Sequence, residues 1–467
     1  MEAQSRKLFG TDGIRGIAGE FPLDPATVYT IGRALGRDLA GNAPRQGARG
    51  RAARVVLGQD TRESSEWIAN ALGRGLAGWG IEVASAGVIT TPGIAYLTRA
   101  QKFDAGIVIS ASHNPWTDNG IKIFGADGYK LSDAIELDIE REIFAHLAES
   151  NSEDPRIPAE AAPLHSLPGL EELRSAYLKW LQTNVGKINL AGNRVIVDCA
   201  HGAACALAQE LFRSCGINAE FMHSAPNGRN INENCGALHP EIVAQEVERA
   251  HATLGVTFDG DADRALFADR HGKVVNGDAI LLVVAREMKR RGRLAGNTVV
   301  ATTMSNMGLE IALRTSGIRM LRAPVGDKYV LDEMKKTGAT LGGEQSGHII
   351  FGDGEATTGD GLLTALRVLE IVAQSGKALE EIIADLHVFP QVIRNIRVRE
   401  KRPFAQIPEV AGAIADAERE LDGNGRVVVR YSGTEALARV MIEAESEENV
   451  HRLAGRITEV IAKALGI

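Results

Sequence analysis

Three times along the chain, a short apolar run rich in β-branched residues opens into a polar loop and then a helical stretch. The three runs are Arg54–Gly58, Arg194–Asp198 and Thr298–Thr302. Short continuous apolar runs before helices are typical of buried parallel strands in α/β units. The repetition therefore predicts three similar α/β domains, and the length of 467 residues, which is too great for one core, agrees with that division.

Each repeat also predicts a second strand that ends in a polar loop. The strand–loop pairs are Gly106–Ile109 with Ser110–Pro115, Gly255–Phe258 with Asp259–Arg264, and Gly338–Leu341 with Gly342–His348. Ligands of open α/β sheets bind at the carboxyl ends of the strands. We therefore expect all three loops to face a ligand.

The C-terminal segment differs from the repeats. It contains three short strand patterns, 391–398, 426–430 and 438–443, followed by an amphipathic helix over 447–465. The predicted fold class is α/β, with three similar α/β domains of mixed sheets around a cleft and a smaller C-terminal α+β domain. The predicted boundaries are 1–160 (domain 1), 161–270 (domain 2), 271–387 (domain 3) and 388–467 (domain 4).

Composition excludes several classes of function. The formal net charge of −8 argues against a general nucleic-acid or membrane-surface role. No apolar run approaches the length of a membrane span, and the first residues do not resemble a signal peptide. The spacings of the four cysteines match no zinc-binding pattern, so reduced thiols are expected. The default expectation is a cytoplasmic protein.

The most specific motif is Asp259-Gly-Asp-Ala-Asp-Arg264. Three carboxylates at alternate positions can close on one hard cation, and Mg²⁺ prefers oxygen ligands. An EF-hand begins similarly but needs glycine at its sixth position and glutamate at its twelfth, where this chain has Arg264 and Arg270. The arginine directly after the acids suits an anion beside the metal. The motif predicts a magnesium site that handles a phosphate.

The other loops carry weaker signals when taken alone. Ser112 could be a nucleophile, a helix cap or an ordinary loop hydroxyl. Lys122 supplies a cation that could neutralise a phosphate on that serine. A Ser–His–acid hydrolase is not supported, because the chain has no G-x-S-x-G motif. The loop containing Glu344, Ser346 and His348 offers the paired donors and acceptors that sugar hydroxyls need.

A fourth loop, Arg430-Tyr-Ser-Gly-Thr-Glu435, is followed by Arg439. Backbone N–H groups together with bidentate arginines make a cradle for phosphate. The chain has neither a Walker A sequence nor a G-x-G-x-x-G motif, so a nucleotide-binding fold has no support.

Five motifs occur in an order that resembles the α-D-phosphohexomutase superfamily. They are Phe9–Gly16, Ser110–Pro115, Asp259–Arg264, Gly343–His348 and Arg430–Glu435. Further residues resemble the bacterial phosphoglucosamine mutase branch, namely Pro226–Gly236 with His239-Pro240, Gln345, and Thr357–Gly361. Ala436 departs from the proline that the superfamily often has there, but this removes no ligand group.

The resemblance implies a role for each candidate residue. Ser112 would be the phosphorylated serine, and Asp259, Asp261 and Asp263 would bind one Mg²⁺ that also contacts the phosphate on Ser112. The transfer site would be lined by Arg15, His113, Lys122 and Arg264, with Lys122 or His348 moving the proton. Sugar hydroxyls would be held by Glu344 and Ser346. The non-reacting phosphate would be held by Arg430, Ser432, Gly433, Thr434 and Arg439.

The reaction implied by the resemblance interconverts glucosamine 6-phosphate and glucosamine 1-phosphate through a bisphosphorylated sugar. Such an enzyme is an isomerase of the phosphohexomutase type, it takes a sugar 1,6-bisphosphate as activator, and it feeds amino-sugar nucleotide and cell-wall precursor synthesis. Two alternatives stay open: a phosphomannomutase or phosphoglucomutase with the same mechanism, and a hydrolase that discharges the phosphoserine to water. The expected partner is a small sugar phosphate, and the expected state is a monomer or homodimer.

Overall fold

The computed structural model describes residues 8–10, 12–42, 52–150, 169–190, 192–354, 356–432 and 436–466. It contains sheets of six, five, four and three strands, which follow one another along the chain. The predicted fold class is therefore confirmed: three α/β domains with mixed sheets precede a smaller domain made of a sheet and helices. The domain boundaries stay predictions, and residues 151–168, on both sides of the boundary predicted after residue 160, lie outside the described residues.

Domain 1 has six strands in the order β1-β2-β6-β5-β3-β4. The strands are β1 (Phe9–Gly10), β2 (Gly13–Ile17), β3 (Arg54–Gln59), β4 (Glu82–Val88), β5 (Ala105–Ile109) and β6 (Asp118–Gly125). The helices are α1 (Pro25–Asn42), α2 (Ser65–Ala77), α3 (Thr91–Ala100) and α4 (Asp133–Ser150).

Domain 2 has five strands in the order β11-β10-β9-β7-β8. The strands are β7 (Val195–Asp198), β8 (Ala219–Met222), β9 (Leu254–Phe258), β10 (Ala265–Asp269) and β11 (Val274–Val275). The helices are α5 (Leu170–Thr183), α6 (Ala204–Ser214) and α7 (Pro240–Ala250), with a 3₁₀ turn at Gly236–Leu238.

Domain 3 has four strands in the order β13-β12-β14-β15. The strands are β12 (Thr298–Thr302), β13 (Arg319–Ala323), β14 (Leu341–Gly343) and β15 (Ile349–Phe351). The helices are α8 (Gly277–Arg290), α9 (Met307–Thr315), α10 (Asp327–Thr337), α11 (Gly361–Ser375) and α12 (Leu379–Ile382), with a 3₁₀ turn at Ala295–Asn297. Within the described part of the chain, no helix has both the length and the apolarity that a membrane crossing requires.

The three α/β sheets share one four-stranded unit. Its first strand (β3, β7 or β12) pairs in parallel with two neighbours, which are β4 and β5, β8 and β9, or β13 and β14. The second of these neighbours then pairs antiparallel with β6, β10 or β15. Each candidate loop therefore connects a parallel strand to its antiparallel return strand, and all three loops occupy equivalent positions.

One predicted strand was misplaced. The sequence pattern predicts a strand over Gly338–Leu341, but the strand begins at Leu341 and continues to Gly343. The reason is that Gly338 adopts φ of +73° as the left-handed residue that ends α10. Glycine takes this conformation without steric cost, so the apolar residues after it belong to a helix–strand connection.

Domain 4 has its own core. Its sheet has the order β16-β18-β17, all antiparallel. The elements are β16 (Gln391–Arg397), β17 (Gly425–Tyr431), β18 (Leu437–Ala444), α13 (Pro408–Leu421) and α14 (Glu447–Leu465), with a 3₁₀ turn at Phe404–Gln406. Residues from α13, α14 and β18 form a hydrophobic cluster distinct from the large cluster shared by domains 1 to 3.

A buried ion pair joins domain 4 to domain 3. The Arg426 guanidinium lies 2.7 Å from the Glu443 carboxylate, which is fully buried. Arg426 also donates to the carbonyl oxygens of Thr303 and Ser305, and Glu443 accepts from the Met307 amide. The two charges compensate each other, so both side chains can be taken from water. Their hydrogen bonds to Thr303, Ser305 and Met307 attach domain 4 to domain 3.

Domains 1, 2 and 3 meet at one phenol. Tyr177 on α5 is fully buried, and its hydroxyl donates to Asp360 Oδ2 at 2.8 Å. The Thr90 hydroxyl approaches the same phenol oxygen at 3.2 Å. Burial raises the pKa of Asp360 to about 6, so the carboxylate depends on these hydrogen bonds.

We predict that Tyr177→Phe lowers the free energy of unfolding of domains 1 to 3 by about 1–3 kcal/mol, because it leaves a buried carboxylate short of a donor. Urea unfolding followed by circular dichroism measures the change. Tyr329→Phe is the control, since Tyr329 is 40% exposed. Equal stability of the two variants would contradict the junction assigned to Tyr177.

Candidate active site

A cavity of about 1060 Å³ lies between domains 1, 2 and 3. The candidate residues that line it are Arg15, His113, Asp263, Arg264, Glu344, Ser346 and His348. The three equivalent hairpin loops thus open into one shared space, although the residues they contribute span more than 200 positions of the chain, from His113 to His348.

Ser112 lies in the loop after β5, directly before the lining residue His113, but it is not itself among the residues that line the cavity. Its side chain is buried, and its hydroxyl donates a hydrogen bond to Asp259 Oδ2 at 2.6 Å. His113 Nδ1 lies 3.1 Å from the same hydroxyl oxygen. Ser112 also adopts φ of +53°, a strained conformation that a non-glycine residue keeps only where its surroundings enforce it. The structure therefore brings the serine and the first acid of the triad into direct contact.

Gly260 allows this contact. A Cβ atom built on Gly260 would lie 2.4 Å from the Ser112 carbonyl oxygen, which is closer than any side chain can approach. The small residue between the first two acids is thus required by the approach of the domain 1 loop.

The triad has the donor set for a hard cation. One carboxylate oxygen each from Asp259, Asp261 and Asp263 lies within 4.8 Å of the others, and all three residues are buried. Asp261 Oδ1 and Asp263 Oδ1 have no hydrogen-bond partner among the described residues. Buried carboxylate oxygens without donors are costly unless a cation compensates them. The residues present therefore fit a divalent ion such as Mg²⁺.

The three acids are not electrostatically equal. Burial, followed by the charges of Asp263 and Asp261, raises the pKa of Asp259 well above its usual value. Burial opposes ionisation of Asp263 too, but His348 and Lys122 together hold the pKa of Asp263 below its usual range. The pKa values of Asp259 and Asp263 are thus shifted in opposite directions, and Asp259 is the one that Ser112 contacts.

Lys122 is held between acids from two domains. Its Nζ lies 2.9 Å from Asp261 and 3.0 Å from Asp12, and it is almost wholly buried. Burial would lower the pKa of Lys122, but Asp12 and Asp261 outweigh it and raise that pKa. Lys122 is therefore a charged ammonium that crosses from domain 1 to the triad.

His348 lies on the domain 3 side of the triad. Its Nδ1 is 3.6 Å from Asp263 Oδ1, and its Nε2 accepts a hydrogen bond of 3.1 Å from the Gly359 amide. Burial would lower the pKa of His348, but Asp263 and Asp327 raise it to about 9. The backbone fixes the Gly359 amide, whose hydrogen bond requires an unprotonated Nε2, so we assign His348 the neutral ring with its proton on Nδ1. The raised pKa of His348 depends mainly on the charge of Asp263, and a cation bound to Asp263 would offset that charge.

Arg15 and Arg264 bring positive charge close to His113, the residue that follows the serine. Arg15 donates to the Ala111 carbonyl oxygen at 3.2 Å, and the Arg264 amide donates to Asp259 Oδ1 at 3.2 Å. Burial and these two arginines lower the pKa of His113 to about 4, so its imidazole is neutral. Two arginines beside a buried hydroxyl suit a phosphate group on that hydroxyl.

The domain 3 loop is a tight turn between β14 and β15. The Gly347 amide donates to the Glu344 carbonyl oxygen at 3.0 Å, and Glu344 Oε1 accepts from the Gly326 amide at 3.1 Å. The turn directs Glu344, Gln345 and Ser346 to the cavity wall.

The domain 4 residues lie elsewhere. Arg430 on β17 is paired in register with Arg439 on β18, and burial and Arg439 lower the pKa of Arg430. Ser432 is buried and its amide donates to the Leu437 carbonyl oxygen. Gly433 and Thr434 lie outside the described residues. The described residues that line the cavity come from domains 1 to 3, so this conformation does not bring Arg430 into it.

Comparison with known proteins identifies the fold and the family. Residues 6–149, 175–272 and 276–389 match the phosphoglucomutase/phosphomannomutase alpha/beta/alpha domains I, II and III, and residues 394–460 match the C-terminal domain of the same family. The chain is 61% identical to the phosphoglucosamine mutase of Koribacter versatilis, with 100% of this chain and 99% of the relative covered. This chain belongs to the phosphoglucosamine mutase family of phosphohexomutases.

Two further comparisons agree with that membership. A phosphoglucosamine mutase from Solibacter usitatus is 52% identical over 99% of this chain and 100% of its own length. The crystal structure of a phosphoglucomutase/phosphomannomutase family protein from Burkholderia thailandensis has a TM-score of 0.77 at 23% identity, covering 98% of this chain and 99% of that one. The latter likeness shows the phosphohexomutase fold alone.

Sequence reasoning missed the residues that hold the serine loop of this family member. Arg62 is buried, and one of its terminal nitrogens donates to the carbonyl oxygens of Ser112 and Asn114 at 3.0 and 2.9 Å. Asn232 of domain 2 donates to the same two oxygens at 2.9 and 3.1 Å. Asp60 orients Arg62 with a contact of 2.8 Å. Arg62 lies in the polar loop after β3, and Asn232 lies in the Pro226–Gly236 motif, so both segments were visible in the sequence. A spacing pattern, however, does not show which carbonyl oxygen a side chain contacts.

We predict that Arg62→Lys lowers kcat about a hundredfold while the KM for sugar phosphate stays nearly unchanged. Lysine keeps the charge but loses the planar fork that grips several carbonyl oxygens, and a shift of about 1 Å in a reacting group can cost this much. Steady-state kinetics measures the effect. Arg229→Lys is the matched control, because Arg229 is exposed and pairs with Glu63 near the same loop. A folded Arg62→Lys enzyme with full kcat would refute the positioning role.

Proposed function

We propose that this chain interconverts glucosamine 6-phosphate and glucosamine 1-phosphate through phosphorylated Ser112 and a bisphosphorylated sugar. It is an isomerase of the phosphohexomutase type. The observation that carries the proposal is the contact of 2.6 Å between Ser112 and Asp259, whose loops also supply His113, Asp263 and Arg264 to the shared cavity. Full-length similarity to phosphoglucosamine mutases favours this substrate over glucose or mannose phosphates.

The residues around Ser112 stabilise the moving phosphoryl group. Arg15 and Arg264 would bind its equatorial oxygens, where charge is concentrated during transfer. A magnesium ion held by Asp259, Asp261 and Asp263 would supply further positive charge beside the phosphate on Ser112. Gly260 keeps the two loops close enough for the arginines and the acids to act on one group.

Each transfer also moves one proton. When the sugar hydroxyl attacks, it loses a proton and forms a bond to phosphorus, while the bond from phosphorus to Ser112 Oγ breaks and the serine hydroxyl takes up a proton. We assign the proton at the sugar oxygen to Lys122, which the structure holds charged between Asp12 and Asp261. As an ammonium, Lys122 can donate a proton to the sugar oxygen that leaves in the return transfer. To accept a proton from the attacking hydroxyl, it must first be neutral, and a cation that offsets the charge of Asp261 would lower the pKa of Lys122 in that direction. His348 then serves as a hydrogen-bond donor through Nδ1.

Reorientation of the sugar requires a large enough cavity and a second binding site for the phosphate that is not reacting. The cavity of about 1060 Å³ is at the upper end of the range of about 300–1,000 Å³ for small-ligand pockets, so a hexose bisphosphate can turn inside it. Glu344 and Ser346 would hold sugar hydroxyls in both orientations. The non-reacting phosphate would be bound by Arg430, Ser432, Gly433, Thr434 and Arg439 once domain 4 closes over the cavity.

We predict that kcat/KM for glucosamine 6-phosphate exceeds that for glucose or mannose 6-phosphate by about tenfold or more, a discrimination of about 1.4 kcal/mol. Coupled assays with a catalytic amount of the sugar 1,6-bisphosphate measure the three ratios. Ser112→Ala removes the nucleophile and abolishes turnover, whereas Ser214→Ala on α6 does not.

Two outcomes would contradict this proposal. A higher kcat/KM for glucose or mannose phosphate would make the chain a phosphoglucomutase or phosphomannomutase. Release of inorganic phosphate without isomer formation would make it a phosphatase.

We also predict that Asp261→Asn raises the Mg²⁺ concentration needed for half-maximal activity and lowers kcat by about a hundredfold, because one anionic ligand of the cation is lost. Magnesium titration after treatment with a chelator measures both effects. Asp385→Asn, which alters an exposed ion pair with Arg286, is the control. Undiminished activity of wild-type enzyme in excess chelator would rule out the cation site.

A further inference from the structure

A second group of metal-type donors lies in domain 2, separate from the acid triad. One ligand atom each from Asp198, His223 and Cys235 lies within 4.8 Å of the others. The group combines oxygen, nitrogen and sulfur, unlike the all-oxygen triad. Zinc and similar transition ions take such mixed sets, whereas Mg²⁺ prefers oxygen.

The sheet brings these residues together. Asp198 ends β7 and His223 directly follows β8, and the two strands are parallel neighbours with Asp198 in register with Met222. The Gly236 amide donates to Asp198 Oδ2 at 2.9 Å, which places Cys235 at the same edge. His223 Nδ1 lies 3.1 Å from Asp198 Oδ1. The side chains of Asp198 and Cys235 are buried, while that of His223 is 26% exposed and gives an ion a path from solvent.

The backbone around this group is strained. Five non-glycine residues near it adopt positive φ, and they are Ala200, His201, His223, Asn232 and Asn234. A residue in such a conformation persists only where its surroundings determine it. Hydrogen bonds from the Ala200 and Gly236 amides to Asp198 supply part of that constraint.

A further nitrogen stands unsatisfied beside the group. The ring of His201 lies edge-on to that of His223, with centroids 5.3 Å apart, and His201 Nδ1 is buried with no hydrogen-bond partner in the described chain. Burial and His223 lower the pKa of His201, so its ring is neutral and can act as an acceptor. A tetrahedral ion with three protein ligands has one position left for water, and that water could donate a hydrogen bond to His201 Nδ1.

We propose that Asp198, His223 and Cys235 form a zinc-type transition-metal site that fixes the loops behind Ser112. Binding would release the thiol proton of Cys235 to solvent as the sulfur–metal bond forms. It would also move the ring proton of His223 to Nε2, so that Nδ1 can bind.

The loops at this site support the active site directly. Asn232, whose side chain holds the Ser112 carbonyl oxygen, donates its own amide to the Ala200 carbonyl oxygen at 2.9 Å. The Ala203 amide donates to the Gly260 carbonyl oxygen at 2.8 Å, inside the acid motif. A metal that joins 198 to 235 would therefore stiffen the contacts made to both the serine loop and the triad. This function is structural and independent of which sugar the enzyme prefers.

The first test is metal content. Full-length protein is equilibrated with one equivalent of Zn²⁺ in the presence of excess Mg²⁺, desalted and analysed by mass spectrometry of its metals. We expect about one zinc per chain in the wild type and in Asp261→Asn, which alters only the triad. Cys235→Ser and His223→Gln should lose it, whereas Cys215→Ser, outside the group, should retain it. Zinc-free wild-type protein, or zinc retained by Cys235→Ser, would overturn the proposal.

A second measurement needs no variant. Wild-type protein loaded with Co²⁺ in place of zinc should show a near-ultraviolet thiolate-to-cobalt absorption and the visible bands of a tetrahedral ion. A spectrum without the thiolate band would exclude Cys235 as a ligand even if the variants fail to fold. Neither readout depends on catalysis, so failure of the proposed reaction and failure of this site are distinguishable.

Discussion

The hydrogen bond between Ser112 and Asp259 is the contact on which the rest of the molecule depends. It joins a loop of domain 1 to a loop of domain 2 across 147 positions of sequence. In the proposed reaction, the nucleophile and the cation site share one phosphoryl group, so separation of the two loops would abolish that reaction. Three residues keep the two loops close together. Gly260 leaves space for the serine loop, and Arg62 of domain 1 and Asn232 of domain 2 donate hydrogen bonds to it.

The sheet topology explains why loops so distant in sequence can meet. In domains 1 to 3, a parallel strand turns back through an antiparallel partner, and the polar loop between them projects from the same end of each sheet. The charges then complete the assembly. Lys122 from domain 1 lies between Asp12 and Asp261 and compensates their charge, while the neutral ring of His348 from domain 3 lies 3.6 Å from Asp263.

The sequence predicts the candidate residues of this site better than the residues that hold the serine loop in place. Ser112, the three acids and Glu344 could be found because strand patterns and residue types place them at strand ends. The roles of Arg62 and Asn232 could not, because each depends on which carbonyl oxygen a long or amide side chain reaches after folding. The strand predicted at Gly338 was wrong because an apolar pattern cannot show that a glycine ends the preceding helix in a left-handed conformation. The partners of Lys122 likewise require the tertiary contact between domains 1 and 2.

Tethering both ends of each hairpin loop to a sheet has an evolutionary consequence. Side chains in the loop can change without altering the strands, since the hydrogen bonds that fix the loop ends belong to the backbone. Duplicated copies of one such unit could thus diverge in the residues that their loops carry while keeping a common scaffold. Such a lineage would acquire new sugar preferences most readily through the loop between β14 and β15, because that loop carries neither the serine nor the acids.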